Sequence, residues 1–230
     1  MGGLSAEAWG AVALSLKVAF WATLFALPLA VFVAHVLARR QFWGREILNG
    51  LVHLPLILPP VVTGYLLLLG FGTQGPIGAA LARVGIVFAF SWTGAALAAG
   101  VMAFPLMVRA IRLSLEAVDP GLEAAAATLG ASRIWVFASV TLPLILPGVI
   151  AGTILAFAKA MGEFGATITF VSNIPGETQT LPLAVHELLQ VPGGEQAAMG
   201  LAMISVCIAL GALLVSEWVS RRVAARVAGR

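Results

Sequence analysis

Charged residues and cysteine are both scarce in this chain of 230 residues, which has 10% charged residues and a single cysteine. Soluble domains carry about 25% charged residues, so this chain lacks the polar side chains that would cover a water-soluble globule of its size. The one cysteine, Cys207, lies in an apolar run and excludes an internal disulfide framework and a cysteine-built metal site. With 60% hydrophobic residues, the composition predicts a polytopic membrane protein.

Lysine is nearly absent as well, and this excludes the usual ATP-binding loop. A P-loop needs Gly-x4-Gly-Lys-Ser/Thr, because backbone amides and the lysine hold the phosphates. The two lysines, Lys17 and Lys159, are followed by Val18 and Ala160. No His-Glu-x-x-His, Gly-x-Ser-x-Gly or Cys-x-x-Cys pattern occurs either, so we expect no catalytic residue, no metal site and no cofactor within this chain. Three isolated histidines are expected to be structural or interfacial: His35, His53 and His186.

Five long apolar stretches occupy most of the chain. A helix needs about 20 apolar residues to cross the hydrocarbon core of a bilayer, and each stretch is long enough. They predict an all-α fold and one transmembrane domain over residues 1–230, with five membrane-spanning helices near residues 9–38, 50–72, 84–108, 143–170 and 196–218. The first stretch follows an acidic start without a cation and is too long for a signal peptide, so we expect a retained helix with Ser5 as its N-cap.

Positive charge is concentrated on one side of the predicted membrane domain. The positive-inside rule places Lys and Arg in cytoplasmic loops, and ten of the thirteen cations follow the first, third and fifth stretches. We therefore expect the N-terminus outside and the C-terminus in the cytoplasm, with residues 109–142 as a cytoplasmic segment. Short basic blocks between apolar runs are not typical of a nucleic-acid-binding face, so we expect lipid and no nucleic acid as a partner. The ten cations are Arg39, Arg40, Arg45, Arg109, Arg112, Arg133, Arg221, Arg222, Arg226 and Arg230.

The cytoplasmic segment contains a predicted short helix between residues 119 and 130. Asp119 and Pro120 are typical of an N-cap and a first helical position, and Gly130 is typical of a helix end. The Ala-rich sequence between them is a strong helix former. Ser132 is predicted to cap a second helical stretch that ends at Thr141-Leu142-Pro143. The short helix is either a surface whose small side chains let a partner approach closely or an ordinary connecting helix.

An outer segment, residues 172–195, separates the fourth and fifth stretches. Two turns rich in Pro and Gly frame a short amphipathic piece over residues 181–190. This piece is predicted to be an interfacial helix, a re-entrant piece or a lid, and the sequence does not choose among the three.

Two charged residues lie within the fourth stretch. Lys159 and Glu163 are four residues apart and so share one helical face. A lone charge at the bilayer centre costs about 2.5–3.5 kcal/mol on insertion scales, and such residues usually face a bundle interior or an aqueous path. They are either a pair that lines a translocation path or an internal ion pair that holds two helices together. The hydroxyls that are candidates to line such a path are Thr63, Ser91, Thr153, Thr167 and Ser172.

Proline interrupts the second stretch, where Pro59 and Pro60 precede Thr63. Broken helices are tolerated at membrane depth where the freed backbone is buried or lines a cavity, so the break is either a gate or a kink that shapes the bundle. Small residues, such as Gly148 and Gly152 spaced as GxxxG, predict close helix packing within the subunit or across a dimer.

The cytoplasmic segment resembles the EAA loop of ABC-importer permease subunits. The resemblance is carried by Glu123-Ala124-Ala125, Gly130-Ala131 and Val140-Thr141-Leu142-Pro143. In that family the loop forms a coupling helix that docks into a cleft of the ATP-hydrolysing subunit. One departure is visible: counted back from Gly130, the family's Glu falls on Ala124, and Glu123 lies one position early. The resemblance implies an ATPase-coupling role for Asp119, Pro120, Leu122, Glu123, Ala124, Ala125, Thr128, Leu129, Gly130 and Ala131.

A narrower resemblance extends over almost the whole chain. The runs 162–167 (GEFGAT), 172–178 (SNIPGET) and 192–195 (PGGE) look like elements of molybdate permease subunits. This resemblance implies a type I ABC-importer permease in the inner (cytoplasmic) membrane of a bacterium, with molybdate as its substrate. It also implies a homodimer of this chain, two copies of an ABC ATP-binding subunit that binds the ATP, and an external molybdate-binding protein.

Three other functions compete with this interpretation. Within the same family, the substrate is sulfate or tungstate instead of molybdate. A stand-alone secondary anion transporter is a further alternative, although five spans give no even inverted repeat of the kind that such folds use. A membrane enzyme or assembly factor is the third, and no catalytic set in the sequence favours it.

Overall fold

The computed structural model describes residues 5–227 of the chain and the side chains of residues 5–222. Every regular element in this range is helical, which confirms the all-α prediction. Of the predicted cytoplasmic cations, Arg230 lies outside the described residues and the side chain of Arg226 outside the described side chains. The α-helices are α1 Ala6–Arg39, α2 Arg45–Ile57, α3 Pro60–Phe71, α4 Pro76–Ala82, α5 Trp92–Ala117, α6 Pro120–Thr128, α7 Arg133–Val136, α8 Leu142–Met161, α9 Gly165–Val171, α10 Leu181–Leu188 and α11 Glu195–Val227.

Four helical segments are long and apolar enough to cross a membrane: Ala6–Arg39, Trp92–Ala117, Arg133–Met161 and Glu195–Arg222. The mean hydropathy of their most apolar windows lies between 1.7 and 2.5. Helices α2 and α3, of 13 and 12 residues, are long enough to cross only as a pair, and they are bent by 115° at the break between them. The polytopic membrane fold is therefore confirmed, and the count rises from four to five when α2 and α3 are taken as one broken span.

Helices α1, α5 and α8 form the core of the bundle. In the most apolar window of α5, 61% of the residues are buried inside the protein. Its Ala95, Ala98 and Ala99 have no exposed surface, and such small side chains let helix backbones approach closely. A Cβ atom added to Gly152 of α8 would lie 3.0 Å from the Cβ of Ala110 in α5. Gly152 therefore packs within the subunit, which is one of the two alternatives that the GxxxG spacing left open.

The proline pair at residues 59 and 60 breaks the second apolar stretch, as the sequence predicts. Pro60 is the first residue of α3, where the missing N–H of proline costs no helical hydrogen bond. Beyond this break α3 packs along α9. A Cβ on Gly64 would lie 2.9 Å from the Cβ of Thr169, and one on Gly165 would lie 2.7 Å from the Cβ of Pro60. Two short helices, each beginning at a break, thus lie side by side.

The third and fourth apolar stretches contain irregular backbone. Between Gly85, whose φ is +80°, and Ser91 the chain is not helical, and α5 starts at Trp92 because the Ser91 Oγ accepts the N–H of Gly94 at 3.2 Å. In the fourth stretch α8 ends at Met161 and α9 begins at Gly165. A second helix break, over residues 162–164, therefore lies within the bundle.

The prediction that the helical stretch after Ser132 ends at Pro143 is wrong. Ser132 caps the helix as expected, since its Oγ accepts the N–H of Trp135 at 3.3 Å, but the helical segment continues from Arg133 to Met161. A proline ring clashes with the carbonyl four residues earlier in a regular α-helix. Here the turn Phe137–Thr141 is π-helical, and the N–H of Leu142 bonds to the carbonyl of Phe137. This wider turn relieves the clash, so the helix continues beyond Pro143.

Candidate functional site

Local signals set both ends of α6, as the sequence predicts. The Asp119 Oδ1 accepts the N–H of Gly121 at 2.8 Å, and Pro120 occupies the first helical position. At the other end Gly130 has a φ of +86°, a left-handed conformation that glycine adopts without the Cβ clash of other residues. The helix is nine residues long, too short to cross a bilayer.

Helix α6 lies on the surface of the protein, and none of its residues is buried. Leu122 is 49% exposed and Leu129, which follows the helix, is 89% exposed. Ile134 and Trp135 of α7 are 83% and 59% exposed. We call these four side chains the apolar patch. Large exposed apolar side chains of this kind are typical of a surface that meets another protein or lipid.

Most of the other predicted coupling residues are exposed as well. Ala124, Ala125 and Thr128 are exposed, and Ala131 is half-buried. The small alanine side chains project little from the outer face of α6, so a partner can approach the helix backbone closely. Ile134 and Trp135 were not predicted to be part of this surface, although two large apolar residues directly after Arg133 were a visible signal.

Glu123 is the exception on α6, because its side chain faces the membrane domain. One carboxylate oxygen, Oε1, accepts from the Arg39 Nη2 at 3.3 Å and from the Thr141 Oγ1 at 2.8 Å. The Glu123 side chain is 22% exposed and that of Arg39 is 17% exposed. The same Arg39 Nη2 donates to the carbonyl of Val118 at 3.1 Å. We call Arg39, Glu123 and Thr141 the α6 polar cluster. Arg39 was predicted only as a topology signal, and its contact with Glu123 was not predicted.

A second polar group lies at the break between α8 and α9. The Lys159 Nζ donates to the Glu163 Oε2 at 2.6 Å, while the Glu163 Oε1 accepts the N–H of Ala166 at 3.0 Å. The Glu163 side chain is 1% exposed and that of Lys159 is 32% exposed. The predicted ion pair is therefore present, and it joins the end of α8 to the first turn of α9 across the break.

The predicted hydroxyls have different surroundings. Near the two breaks, the Thr167 Oγ1 donates to the carbonyl of Phe164 at 2.8 Å. The Thr63 side chain on α3 is buried, and its Oγ1 has no hydrogen-bond partner in the part of the chain that the structure describes. Away from the breaks, the Thr153 Oγ1 donates to the carbonyl of Val149 at 2.7 Å, and Ser91 caps α5. The structure thus brings Lys159, Glu163 and Thr167 together and places Thr153 and Ser91 elsewhere.

The outer segment is structured by its own side chains. Ser172, the fifth predicted hydroxyl, has a φ of +63°, and the Thr178 Oγ1 donates to its carbonyl at 3.1 Å. The Glu187 Oε2 accepts from the Asn173 Nδ2 and the Gln179 Nε2, both at 2.6 Å. The amphipathic piece forms α10, which is anchored on α1 by a bond from the Leu181 N–H to the Ser15 Oγ at 2.6 Å.

Comparison with known proteins agrees with this geometry. The family model described as "Binding-protein-dependent transport system inner membrane component" matches residues 26–228. The chain is 60% identical over 214 residues to the molybdenum transport system permease protein ModB of Escherichia coli (strain K12), which covers 93% of each chain. It is 56% identical over 213 residues to the ModB of Haemophilus influenzae, covering 92% of this chain and 93% of that one.

A similar fold is found in a solved structure of low sequence identity. The structure is that of a bacterial ABC transporter involved in the import of the acidic polysaccharide alginate. The TM-score is 0.75 at 17% identity, and the match covers 95% of this chain and 80% of that chain. This similarity shows a shared fold. The chain belongs to the family of binding-protein-dependent transport system inner membrane components, which confirms the resemblance seen in the sequence.

Proposed function

We propose that this chain is the transmembrane permease subunit of an ATP-driven importer that carries molybdate across the cytoplasmic membrane of a bacterium. The observation that carries the proposal is the 60% identity to the E. coli molybdenum permease over 93% of both chains. The polytopic all-helical fold and the exposed helix α6 support transport that is coupled to a separate motor subunit.

The motor is an ABC ATP-binding subunit, present in two copies, that binds and hydrolyses the ATP. Its docking site is the apolar patch together with the outer face of α6, formed by Asp119, Pro120, Leu122, Ala124, Ala125, Thr128, Leu129, Gly130 and Ala131. Burial of such a surface against a partner protein is favourable by about 25 cal/mol per Å² of apolar area. The exposed Leu129 and Ile134 supply much of this area.

The complete importer contains two copies of this chain and an external molybdate-binding protein. Tight recognition of the dianion belongs to the binding protein, because a path that held the ion strongly would not release it. With five spans, counting α2 and α3 as one, the N-terminus lies outside and the arginines near the C-terminus lie in the cytoplasm. This orientation places α6 and the apolar patch on the cytoplasmic side, where ATP is available.

The translocation path runs beside the two helix breaks. There α3 and α9 begin next to each other, and irregular backbone at membrane depth is tolerated where it is buried or lines a cavity. Lys159 and Thr63 offer donors to an oxyanion, and Glu163 and Thr167 hold the break in place. Thr153 and Ser91 make bonds to helix backbone, which fits a supporting role in the walls of the path.

Substrate selectivity tests this proposal. The chain is reconstituted in proteoliposomes with its ATPase subunit and binding protein, and uptake of molybdate is measured in the presence of excess tungstate or excess sulfate. We expect ATP-dependent molybdate uptake that a tenfold excess of sulfate leaves nearly unchanged. Uptake of sulfate in preference to molybdate would make the chain a sulfate permease. Full uptake without the ATPase subunit, driven by an ion gradient, would contradict the importer mechanism altogether.

A further inference from the structure

We propose that the α6 polar cluster transmits the movement of α6 to the membrane-spanning helices, so that Arg39, Glu123 and Thr141 are positioning residues for coupling. The inference rests on the proposed function, in which an ATPase subunit docks on α6. It concerns the inner side of α6, whereas the ATPase binds the outer side. The cluster is thus a second, separate part of the coupling machinery.

Helix α6 has little apolar attachment to the rest of the chain. None of its nine residues is buried, so apolar burial does not hold this helix in a fixed orientation. Among the described residues 5–222, its side-chain hydrogen bonds to other elements are made by the carboxylate of Glu123. A helix held in this way would tilt independently of the bundle if the carboxylate contact were lost.

The Glu123 carboxylate is connected to the ends of several core elements. Arg39, which donates to it, lies in the last turn of α1, and the Arg39 guanidinium also donates to the carbonyl of Val118, the capping residue after α5. Thr141, 1% exposed, belongs to the π-helical turn that leads into α8. The cluster therefore links α6 to α1, α5 and α8, the three helices that form the core of the bundle.

The position of the glutamate fits this internal contact. Successive residues of an α-helix are rotated by about 100°, since one turn takes 3.6 residues. Glu123 therefore faces the membrane domain, while Ala124, one residue further on, is exposed on the outer face of α6. The Glu123 carboxylate serves an internal contact and not the docking face.

The geometry suits transmission of force. The Arg39 Nη2 and the Glu123 Oε1 are 3.3 Å apart and carry opposite charges, and partial burial of both side chains reduces screening of their attraction by salt. Movement of α6 towards or away from the membrane would pull directly on the end of α1 and on the π-helical turn before α8. π-helical turns within α-helices occur often at functional sites.

The test uses the complete importer in proteoliposomes, with molybdate as the transported probe. The variants are Arg39→Glu, Glu123→Arg, the charge-swapped double variant and Thr141→Val. The matched control is Arg40→Glu, because Arg40 neighbours Arg39 in the chain but is exposed. For each variant we measure the amount of ATPase subunit that co-purifies, the rate of ATP hydrolysis, and the molybdate imported per ATP hydrolysed.

We expect both single charge variants to retain the ATPase subunit and to hydrolyse ATP, while molybdate imported per ATP falls about tenfold, a typical size for coupling between two sites. The double variant restores most of the loss, Thr141→Val loses less than the charge variants, and the control is unchanged. Normal coupling in the single variants, no recovery in the double variant, or loss of ATPase binding in the single variants would overturn the inference. A wild-type complex that imports no molybdate would instead contradict the proposed function.

Discussion

At the scale of single residues, two glutamates hold helix ends in place. Glu163 accepts from Lys159 on α8 and from the first turn of α9, and Glu123 accepts from Arg39 and Thr141. Each carboxylate therefore connects helix ends that apolar packing alone would not hold together. Each also compensates charge or backbone polarity that would otherwise be unpaired in an environment of low dielectric constant.

Replacement of Glu163 by alanine is predicted to destabilise the membrane domain. The N–H of Ala166 would lose its acceptor and Lys159 its ion pair, and a buried group left without its partner costs about 1–3 kcal/mol. Thermal unfolding of the purified chain in detergent measures this loss. Glu163→Gln retains an acceptor oxygen and should lose less, and Glu177→Ala, at an exposed position, is the control. Equal stability of Glu163→Ala and the wild type would contradict the assigned role.

At the scale of secondary-structure elements, the contact between α3 and α9 depends on glycine. Gly64 and Gly165 allow the two helices to approach so closely that an added Cβ would lie within 3.0 Å of a neighbouring side-chain atom. Because both helices begin at a break, their separation sets the shape of the bundle at the proposed translocation path.

Gly64→Ala is therefore predicted to push α3 away from α9, with a loss of about 1–3 kcal/mol, the usual range for overpacking in a close-packed interior. Molybdate uptake should fall as well, because the proposed path lies at this contact. Gly70→Ala, on the same helix, is the matched control, since an added Cβ there meets nothing within 4 Å. If both variants behave alike in unfolding and uptake assays, the close contact does not determine the path.

The surface of α6 and α7 leads to a second prediction at this scale. Leu129→Asp places a charge in the apolar patch and is expected to lower co-purification of the ATPase subunit about tenfold, since desolvating a carboxylate opposes docking. Folding should be unaffected because Leu129 is 89% exposed. Leu189→Asp is the control: Leu189 is 61% exposed but lies at the end of α10. Equal losses in both variants would argue against the docking site.

How far the sequence predicts these elements depends on the range of the signals. The ends of α6 were predictable because Asp119 and Gly130 act on backbone groups within a few residues of themselves. The pairing of Arg39 with Glu123 was not, because the two residues are 84 positions apart and only the fold brings them together. The passage of the helix through Pro143 also depended on context, since the π-helical turn before it has no distinctive composition.

At the scale of the whole molecule, the account requires one orientation in the membrane. Ten of the thirteen cations follow the predicted spans on one side, which favours a cytoplasmic α6 and an extracytoplasmic segment from 172 to 195. The same orientation is required if an ATPase reaches α6 and a binding protein delivers substrate from outside.

Cysteine labelling in intact cells tests this topology. In a Cys207→Ser background, Glu177→Cys should react with a membrane-impermeant maleimide, and Leu129→Cys should react only after the membrane is permeabilised. Both positions are exposed in the structure, so a difference in reaction reports the side of the membrane. Labelling of Leu129→Cys in intact cells, with Glu177→Cys protected, would reverse the orientation.

The most direct measurement of the central claim is the energy source of molybdate uptake. Proteoliposomes contain this chain with its ATPase subunit, the binding protein loaded with molybdate outside, and either ATP or a non-hydrolysable analogue inside. We predict that molybdate accumulates only with hydrolysable ATP and that collapse of proton and sodium gradients leaves the rate unchanged. Accumulation with the analogue that follows an imposed ion gradient would contradict the account.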